Sequence, residues 1–353
     1  MKKYDYPELN RSLQQMQEQN ELYKPTAFWS GVALKIVDDI RMYGIDAFRS
    51  YQSSLGYFVP TYGMPGNSFS PEQAESLKAV LQADLPQSKK ALLGLEQYLT
   101  GYTAAMANYR VLLAADDASR KPSLHAFSEC DYGQPVEQFE FDGRRFSRSS
   151  LNYLLGLSLL KKHLRENEIH TVMEIGGGFG SLGEVLAAAD INRLRYIDID
   201  IPPTSFVAQS YLTHALGADA VAGYAHTCSM DDIHIEDLPR ATVLCSWQIE
   251  KLRGAVDLFV NFISFQEMEP PVVRNYLNHA ARLNAHWILL RNIREGKQIR
   301  KTSNDVGVDQ PILGNDYLDM LPGYHLVERN VIPFGYRTVD RFHSELQLLK
   351  KND

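Results

Sequence analysis

Cysteine is scarce in this sequence, with three residues among 353. Cys130, Cys228 and Cys245 are too widely spaced for a zinc-ligand pattern, and three cysteines do not form a disulfide framework. We therefore interpret them as reduced thiols of a cytoplasmic protein. The first residues also lack the apolar core of a signal peptide, which favours the same location.

Long apolar runs and an excess of positive charge are also missing. No window approaches the roughly eighteen uncharged apolar residues that a membrane-spanning helix needs. The 36 Lys and Arg are outnumbered by 43 Asp and Glu, for a formal net charge of −7. A nucleic-acid-binding protein usually carries a basic surface that neutralises phosphates, so we expect no nucleic-acid partner. The composition is ordinary for a globular protein, and association into a homo-oligomer stays open.

A glycine-rich segment at residues 171–183 carries the clearest functional pattern, Thr-Val-Met-Glu-Ile-Gly-Gly-Gly-Phe-Gly-Ser-Leu-Gly. Its apolar beginning predicts a buried strand, and residues 181–189 continue as a helix. Glycines between the two allow a tight turn and a close approach of the backbone to a ligand. The pattern predicts a cradle for a nucleoside cofactor, with four candidate contacts: Gly176, Gly177, Gly178 and Gly180.

The glycines alone do not choose the cofactor. Gly178, Gly180 and Gly183 also fit the dinucleotide pattern G-x-G-x-x-G, which leaves a nicotinamide-dependent oxidoreductase open. Glu174, at the end of the apolar strand, favours a cofactor with an amino group and a positive charge, because a carboxylate repels a pyrophosphate. S-adenosylmethionine has both features. A structural turn without a ligand is the remaining alternative.

Residues 194–203 read as the second strand, Leu-Arg-Tyr-Ile-Asp-Ile-Asp-Ile-Pro-Pro, which ends at two prolines. Asp198 and Asp200 are two residues apart and therefore point to the same side of a strand. Asp200 lies about twenty residues beyond the glycine turn, where a carboxylate can accept hydrogen bonds from ribose hydroxyls. We favour Asp200 as the ribose ligand and keep Asp198 as the alternative.

These motifs, together with Asn-Phe-Ile-Ser-Phe-Gln-Glu-Met at residues 261–268, resemble the bacterial sugar O-methyltransferase family. That family belongs to the class I S-adenosylmethionine-dependent methyltransferases. Gly-Gln-Pro-Val-Glu at 133–137 and Ser-Leu-Asn-Tyr-Leu-Leu-Gly-Leu at 150–157 belong to the same resemblance, which spans about residues 133–296 and is loose over the first hundred. The resemblance implies transfer of a methyl group from S-adenosylmethionine to a sugar hydroxyl. The substrate would then be a small molecule or a glycan: a polysaccharide, a nucleotide sugar or a glycosylated natural product.

The order of the predicted elements indicates an α/β protein with a Rossmann-like class I methyltransferase sheet, helices on both faces and an antiparallel last strand. We place a helical cap or substrate domain at residues 1–131 and the cofactor-binding domain at 132–353. Helical spacing of apolar residues predicts helices at 26–55 and 88–115, and an amphipathic helix at 147–165 capped by Ser149 or Ser150. The later strands are predicted at 241–246, 256–264, 287–293, 324–332 and 342–349.

Ligands of an open α/β sheet lie beyond the carboxyl ends of its strands. After the third strand come Ser246, Trp247 and Gln248, which we predict to contact adenine; Trp247 filling a gap between helix and sheet is an equal alternative. The fourth strand is followed by unusually polar residues: Asn261 as a cofactor contact, Ser264 and Gln266 as substrate contacts, and Glu267.

Glu267 is the best candidate for the base that accepts the proton of an attacking hydroxyl. Its alternative role is to cap, or form a salt bridge with, the helix that begins near Pro270. His226 is the second candidate base. Together with Asp231, Asp232 and His234 it forms a weak pattern for a divalent cation such as Mg²⁺; adjacent aspartates in a polar loop are more often simply solvated.

Aromatic residues in the loop at 56–67 predict where the acceptor binds. The C–H face of a sugar ring stacks on aromatic rings, and Tyr57, Phe58 and Tyr62 could supply that surface. The alternative is that these rings only anchor the loop to the helical layer. Tyr153 is a further candidate substrate contact. A catalytically silent cofactor-binding subunit of a glycan pathway also fits the sequence.

Overall fold

The computed structural model describes residues 3–51, 54–58, 71–84, 88–165, 168–302, 307–338 and 341–352. The N-terminal part of these residues is helical, as predicted. Its helices are α1 (Pro7–Gln17), α2 (Ala27–Tyr43), α3 (Leu55–Phe58), α4 (Pro71–Asp84), α5 (Lys89–Leu99) and α6 (Tyr102–Ala115).

Both long N-terminal helices that periodicity predicts are shorter in the structure, because glycines interrupt them. The predicted helix at 26–55 ends as α2 at Gly44, whose φ of 86° is left-handed, and a 3₁₀ segment, Ile45–Ser50, follows. The predicted helix at 88–115 breaks at Gly101, with φ of 82°, into α5 and α6. Apolar spacing continued across both glycines, so periodicity alone did not show the breaks.

The strands and helices of the remaining chain alternate, after a small hairpin, as in a doubly wound fold. Chain order gives β1 (Phe139–Phe141), β2 (Arg144–Phe146), α7 (Arg148–Lys161), β3 (Thr171–Ile175), α8 (Ser181–Ala188), β4 (Arg195–Asp200), α9 (Thr204–Leu216), β5 (Val221–Ala222), α10 (Tyr224–Thr227), β6 (Ile233–His234), β7 (Ala241–Cys245), β8 (Leu252–Arg253), β9 (Leu258–Phe262), α11 (Pro270–Arg282), β10 (Trp287–Ile293), α12 (Asp316–Asp319), β11 (Tyr324–Asn330), β12 (Tyr336–Arg337) and β13 (His343–Lys351).

Nine strands of the described chain form the main sheet, in the order β11-β13-β10-β9-β3-β4-β7-β5, with β12 at the end of β13. The pairs from β10 to β5 are parallel, whereas β13 is antiparallel to both β10 and β11. β13 lies between β10 and β11, and an antiparallel last strand is the ending predicted for this sheet. The predicted fold class is therefore confirmed.

Two buried clusters cover the two faces of the sheet, because successive strand residues point to opposite sides. Val172 of β3 packs with α7, α8 and α9, whereas its neighbour Met173 packs with α11. Ile36 of α2 belongs to the first cluster, so the helical layer and the sheet share one core. No separate core marks the predicted boundary at residues 131/132 within the described chain, and that boundary stays an interpretation.

Helix α7 differs from the amphipathic helix predicted at 147–165. All its 14 residues are buried, because α6 covers the face turned away from the sheet. Even Lys161 is buried, with its Nζ 2.6 Å from Asp116 at the end of α6. The N-cap is Ser147, not Ser149 or Ser150: its hydroxyl accepts from the Ser150 N–H, and the Ser150 hydroxyl accepts from the Ser147 N–H.

No helix in the described ranges is long and apolar enough to cross a membrane.

Candidate active site

A cavity of about 390 Å³ opens at the carboxyl ends of β3, β4 and β9. β3 has β4 on one side and β9 on the other, so the chain reverses the direction in which it adds strands at this point. Open α/β sheets bind their ligands at such a switch point. Its lining includes the glycine turn, the end of β4, the polar segment after β9 and the beginning of α2.

The glycine turn has the backbone that its sequence predicts. Gly176, Gly178 and Gly180 have φ of 71°, 66° and 90°, a region that other residues rarely adopt. A Cβ at Gly176 would lie 2.3 Å from Ser264 Oγ, so this turn packs directly against the segment after β9. A Cβ at Gly178 would meet no heavy atom within 4 Å, which leaves its backbone exposed to the cavity.

Three carboxylates surround this turn. Glu174 is fully buried and accepts a hydrogen bond of 2.5 Å from the Tyr196 hydroxyl. Asp198 is also fully buried; its Oδ1 accepts from the Gly177 N–H at 3.2 Å, and its Oδ2 has no hydrogen-bond partner in the described chain. Asp200 accepts from the Gly178 N–H at 3.2 Å and lines the cavity, which Asp198 does not.

The three carboxylates lie close together without a compensating cation. Burial raises the pKa of Glu174 to about 8 and that of Asp200 to about 7. Burial, followed by repulsion from Asp200 and Glu174, raises the pKa of Asp198 well above its usual value. No Lys or Arg of the described ranges forms an ion pair with any of them. Such a cluster favours a positively charged ligand.

Glu267 lines the same cavity and is 8% exposed. Its Oε2 accepts a hydrogen bond of 3.0 Å from the Trp29 indole N–H, and its Oε1 lies 3.4 Å from Lys297 Nζ. Burial raises the pKa of Glu267, while Lys297 and Trp29 oppose that shift. The predicted base is therefore a buried carboxylate that faces the cavity and has partners on both oxygens.

The other polar residues after β9 connect the segment that carries Glu267 to the glycine turn. Asn261 is fully buried outside the cavity lining, and its Nδ2 donates to Ile175 O at 3.0 Å and to Ser264 Oγ at 2.6 Å. Ser264 and Gln266 line the cavity, but Gln266 Oε1 already accepts from the Ile293 N–H at 2.7 Å. Asn261 thus holds β9 against β3 and does not face the space where a ligand would bind.

Ile263 has a strained backbone at the end of β9. Its φ of 75° and ψ of −39° are rarely adopted by a β-branched residue. The residue lines the cavity between Phe262 and Ser264. Strain of this kind persists where the surrounding structure enforces it, and it concentrates at functional sites.

The predicted aromatic residues lie on the side of the cavity formed by the N-terminal helices. Tyr57 and Phe58 both line it; the Tyr57 ring is 5.6 Å from that of Trp29, whereas Phe58 is 3% exposed and packs on Phe48. Tyr153 also lines the cavity, stacked at 4.9 Å on Phe262. The predicted contact Tyr62 lies outside the described residues.

The predicted adenine contacts after β7 do not line the cavity. The N-terminal residue Tyr23 covers this strand end, and its carbonyl accepts a hydrogen bond of 2.6 Å from the Ser246 hydroxyl. Gln248 is buried, and its amide donates to Thr227 Oγ1 at 2.9 Å. Trp247 is partly exposed beside them. The cavity lining instead includes residues from the end of β4, the segment after β9 and α11, among them Ile201, Met268 and Tyr276.

The residues of the predicted divalent-cation pattern lie at the surface, outside the cavity lining. His226, Asp231, Asp232 and His234 are all exposed. Asp232 forms a salt bridge of 2.7 Å with Arg253. Across the described ranges, no group of three or more His, Cys, Asp or Glu side chains is arranged to hold a metal ion. The position of His226 therefore does not support its selection as a base.

Thr26, Phe28, Trp29 and Lys297 are among the lining residues that the sequence analysis did not select. Lys297 follows β10, so the rule that ligands lie beyond the carboxyl ends of strands could have indicated it. The first turn of α2 carries no local pattern that points to a site. Only the fold brings this turn against Glu267.

No protein-family model and no curated protein matches this chain. Among solved structures, it is similar to the magnesium protoporphyrin IX methyltransferase of Synechocystis with bound S-adenosylmethionine (14% identity, 58% of this chain and 79% of that chain, TM-score 0.37). It is also similar to the mitomycin 7-O-methyltransferase (14%, 95% and 76%, TM-score 0.38) and to an O-methyltransferase from Bacillus cereus (14%, 80% and 100%, TM-score 0.36). Likenesses this remote do not identify the chemistry of the present chain.

Proposed function

We propose that this protein is an S-adenosylmethionine-dependent O-methyltransferase that acts on a sugar hydroxyl. The observation that carries the proposal is the uncompensated carboxylate cluster of Glu174, Asp198 and Asp200 around a glycine turn. S-adenosylmethionine carries a sulfonium and an ammonium group, which such a cluster attracts. The pyrophosphate of a nicotinamide cofactor carries negative charge and would be repelled.

The residues present fit this cofactor. Gly178 offers a main chain without a side chain toward the cavity, and Asp200, the proposed ribose ligand, lines the same cavity. Glu174 and Asp198 lie against the turn at Gly177 and would supply negative charge once a cationic ligand favours their ionised forms. When bound, the cofactor would supply an electrophilic methyl group to an acceptor.

Glu267 is the proposed base. Methyl transfer to an alcohol is an in-line displacement, for which the enzyme must align the hydroxyl, exclude water and accept its proton. Glu267 and the glycine turn line the same cavity, so a ligand on that turn and an acceptor beside Glu267 would occupy one cavity. Its raised pKa brings the carboxylate closer to the strength that proton acceptance near neutral pH requires.

The acceptor side of the cavity supports a sugar. Phe28, Trp29 and Tyr57 present aromatic surface, on which the C–H face of a pyranose can stack. Glu267 and Lys297 are the charged groups beside these rings, and they can bind hydroxyls. A pocket with an apolar platform and few directed polar groups is typical of small-molecule recognition.

The proposal is tested first by calorimetry. S-adenosylhomocysteine and S-adenosylmethionine should bind, whereas NAD should not; the reverse result would favour the oxidoreductase. Incubation with methyl-labelled cofactor and a panel of nucleotide sugars, glycans and glycosides should then give a product heavier by one methylene in mass spectrometry. Binding without turnover on any acceptor would favour the catalytically silent subunit.

The base is tested by Glu267→Gln, which keeps the size of the side chain but cannot take up a proton. We expect turnover to fall by about two to four orders of magnitude, with cofactor affinity unchanged. Turnover close to that of the wild type would return Glu267 to a structural role.

A further inference from the structure

The first turn of α2 holds Glu267 at two points. Thr26 Oγ1 donates to the main-chain carbonyl of Glu267 at 3.0 Å, and Trp29 Nε1 donates to its Oε2, also at 3.0 Å. Thr26 and Trp29 are three residues apart and therefore lie on one face of the helix. Residues about 240 positions away in the sequence thus position both the backbone and the side chain of the proposed base.

The Thr26 side chain does not cap its own helix in this arrangement. It is the N-cap residue of α2, where a hydroxyl normally accepts a hydrogen bond from the helix's first turn. Its side chain makes no such capping bond and contacts Glu267 instead. The N-terminal end of α2 therefore contacts the backbone of the segment that carries Glu267.

The two oxygens of Glu267 differ in their partners. Oε2 accepts a directed hydrogen bond from Trp29, whereas Oε1 lies at the longer distance of 3.4 Å from Lys297 Nζ. Phe28 places its ring 4.9 Å from the same Nζ, so α2 also contacts the cation. One oxygen is thus fixed by the helix, and the other is the less tightly engaged.

We propose that Trp29 is a positioning residue for the base: its indole N–H fixes Glu267 Oε2 so that Oε1 receives the proton of the acceptor hydroxyl. This inference rests on the proposed methyltransferase function and on Glu267 as its base. The acceptor oxygen forms a bond to the methyl carbon, the C–S bond breaks with its electron pair going to sulfur, and the hydroxyl proton passes to Oε1. The carboxylate becomes neutral, and charge balances because the sulfonium is lost.

The competing explanation is that Trp29 only packs against Tyr57. A packing residue would affect stability and turnover without changing how Glu267 titrates. A hydrogen bond to the ionised oxygen favours the charged form, so its loss raises the pKa of the carboxylate. Among the described residues, the titratable groups facing Glu267 are Lys297, from the segment after β10, and Tyr57 of α3, whose own pKa is raised by burial and then by Glu267.

The test is Trp29→Phe, which keeps an aromatic ring and removes the N–H. Activity requires the carboxylate, so the acid limb of the kcat profile should move to higher pH by about one unit. Well above that limb, kcat should recover to within a few fold of the wild type. Lys297→Met should move the limb in the same direction, because it removes a positive charge from the other oxygen.

The matched control is Trp287→Phe. Trp287 is 2% exposed and donates from its indole to Glu168 at 2.8 Å, outside the cavity lining. This variant loses the same type of hydrogen bond to a carboxylate, so it should lose stability without a shift of the acid limb. A shift of equal size in both variants would overturn the proposal, as would an unshifted limb in Trp29→Phe.

A direct titration separates this inference from the function on which it rests. Carboxyl ¹³C NMR of glutamate-labelled protein, with Glu267→Gln to assign the resonance, reports the pKa of Glu267 without any acceptor. A rise of about one unit in the pKa of Glu267 in Trp29→Phe supports the hydrogen bond from Trp29 to Glu267 even if no acceptor is methylated. An unchanged Glu267 pKa refutes it even if the wild type is an active methyltransferase.

Discussion

Gly178→Ala tests whether the glycine turn contacts the cofactor, separately from its effect on the stability of the fold. Gly178 has φ of 66°, and a Cβ there would meet no protein atom within 4 Å. The substitution therefore carries only the cost of a left-handed backbone for an L-residue, about 1–2 kcal/mol of unfolding free energy. The new methyl would project into the cavity. Overfilling a packed contact costs about 1–3 kcal/mol, which corresponds to roughly 5- to 150-fold weaker cofactor binding.

Gly143→Ala is the matched control for this experiment. Gly143 has φ of 71°, and a Cβ there also meets nothing within 4 Å, but it lies in the exposed turn between β1 and β2. Both variants should lose similar stability in urea unfolding, because the backbone cost is the same. Only Gly178→Ala should bind S-adenosylhomocysteine more weakly in calorimetry. Wild-type affinity in Gly178→Ala would refute the assignment of the glycine turn as the cofactor wall.

Further expectations follow from the same geometry. Asp200→Ala should weaken cofactor binding by about 1–3 kcal/mol in calorimetry; equal affinity in the wild type and in both Asp200→Ala and Asp198→Ala would exclude either as the ribose ligand. Affinity for S-adenosylmethionine should rise between pH 6 and 8, because a cation binds the ionised forms of Glu174 and Asp200, whose pKa values are about 8 and 7. Calorimetry in buffers of different ionisation enthalpy should show that binding releases protons. An affinity that does not change with pH would contradict this prediction. For the same reason the melting temperature of the free protein should fall as the pH rises through that range, since a raised carboxyl pKa stabilises the folded state only while the group is protonated. Tyr57→Ala should raise the acceptor KM without changing cofactor affinity, and unchanged acceptor kinetics would return this ring to packing.

Local patterns of the sequence predicted the elements around the glycine turn closely. β3 begins at the predicted residue 171, and β4 (195–200) lies within the predicted strand at 194–203, because a short apolar run bounded by glycines or prolines leaves few alternatives. The positions of Asp198 and Asp200 on one side of β4 follow from the period of a strand. The sequence could therefore place both carboxylates beside the turn, but not say that only Asp200 reaches the cavity.

Predictions of which faces of a helix or strand end are exposed were less accurate, because they depend on the parts of the chain that pack over them. Periodicity shows which residues are apolar, not whether a second layer buries the polar side, and α7 became buried along its whole length because α6 lies over it. The strand end at Ser246 was predicted to be open, but Tyr23 covers it. Each error involves a contact between parts of the chain that are distant in sequence.

The sequence by itself determined the glycine turn, the order of strands and helices, and a carboxylate, Glu267, after the fourth predicted strand of the α/β unit. These depend on residue type, spacing and chain order, all of which are local properties. The tertiary structure decided that Trp29 and Lys297 contact the two oxygens of Glu267. Such contacts arise because the core shared by the helical layer and the sheet brings α2 against the carboxyl ends of the strands, and no local pattern encodes that packing.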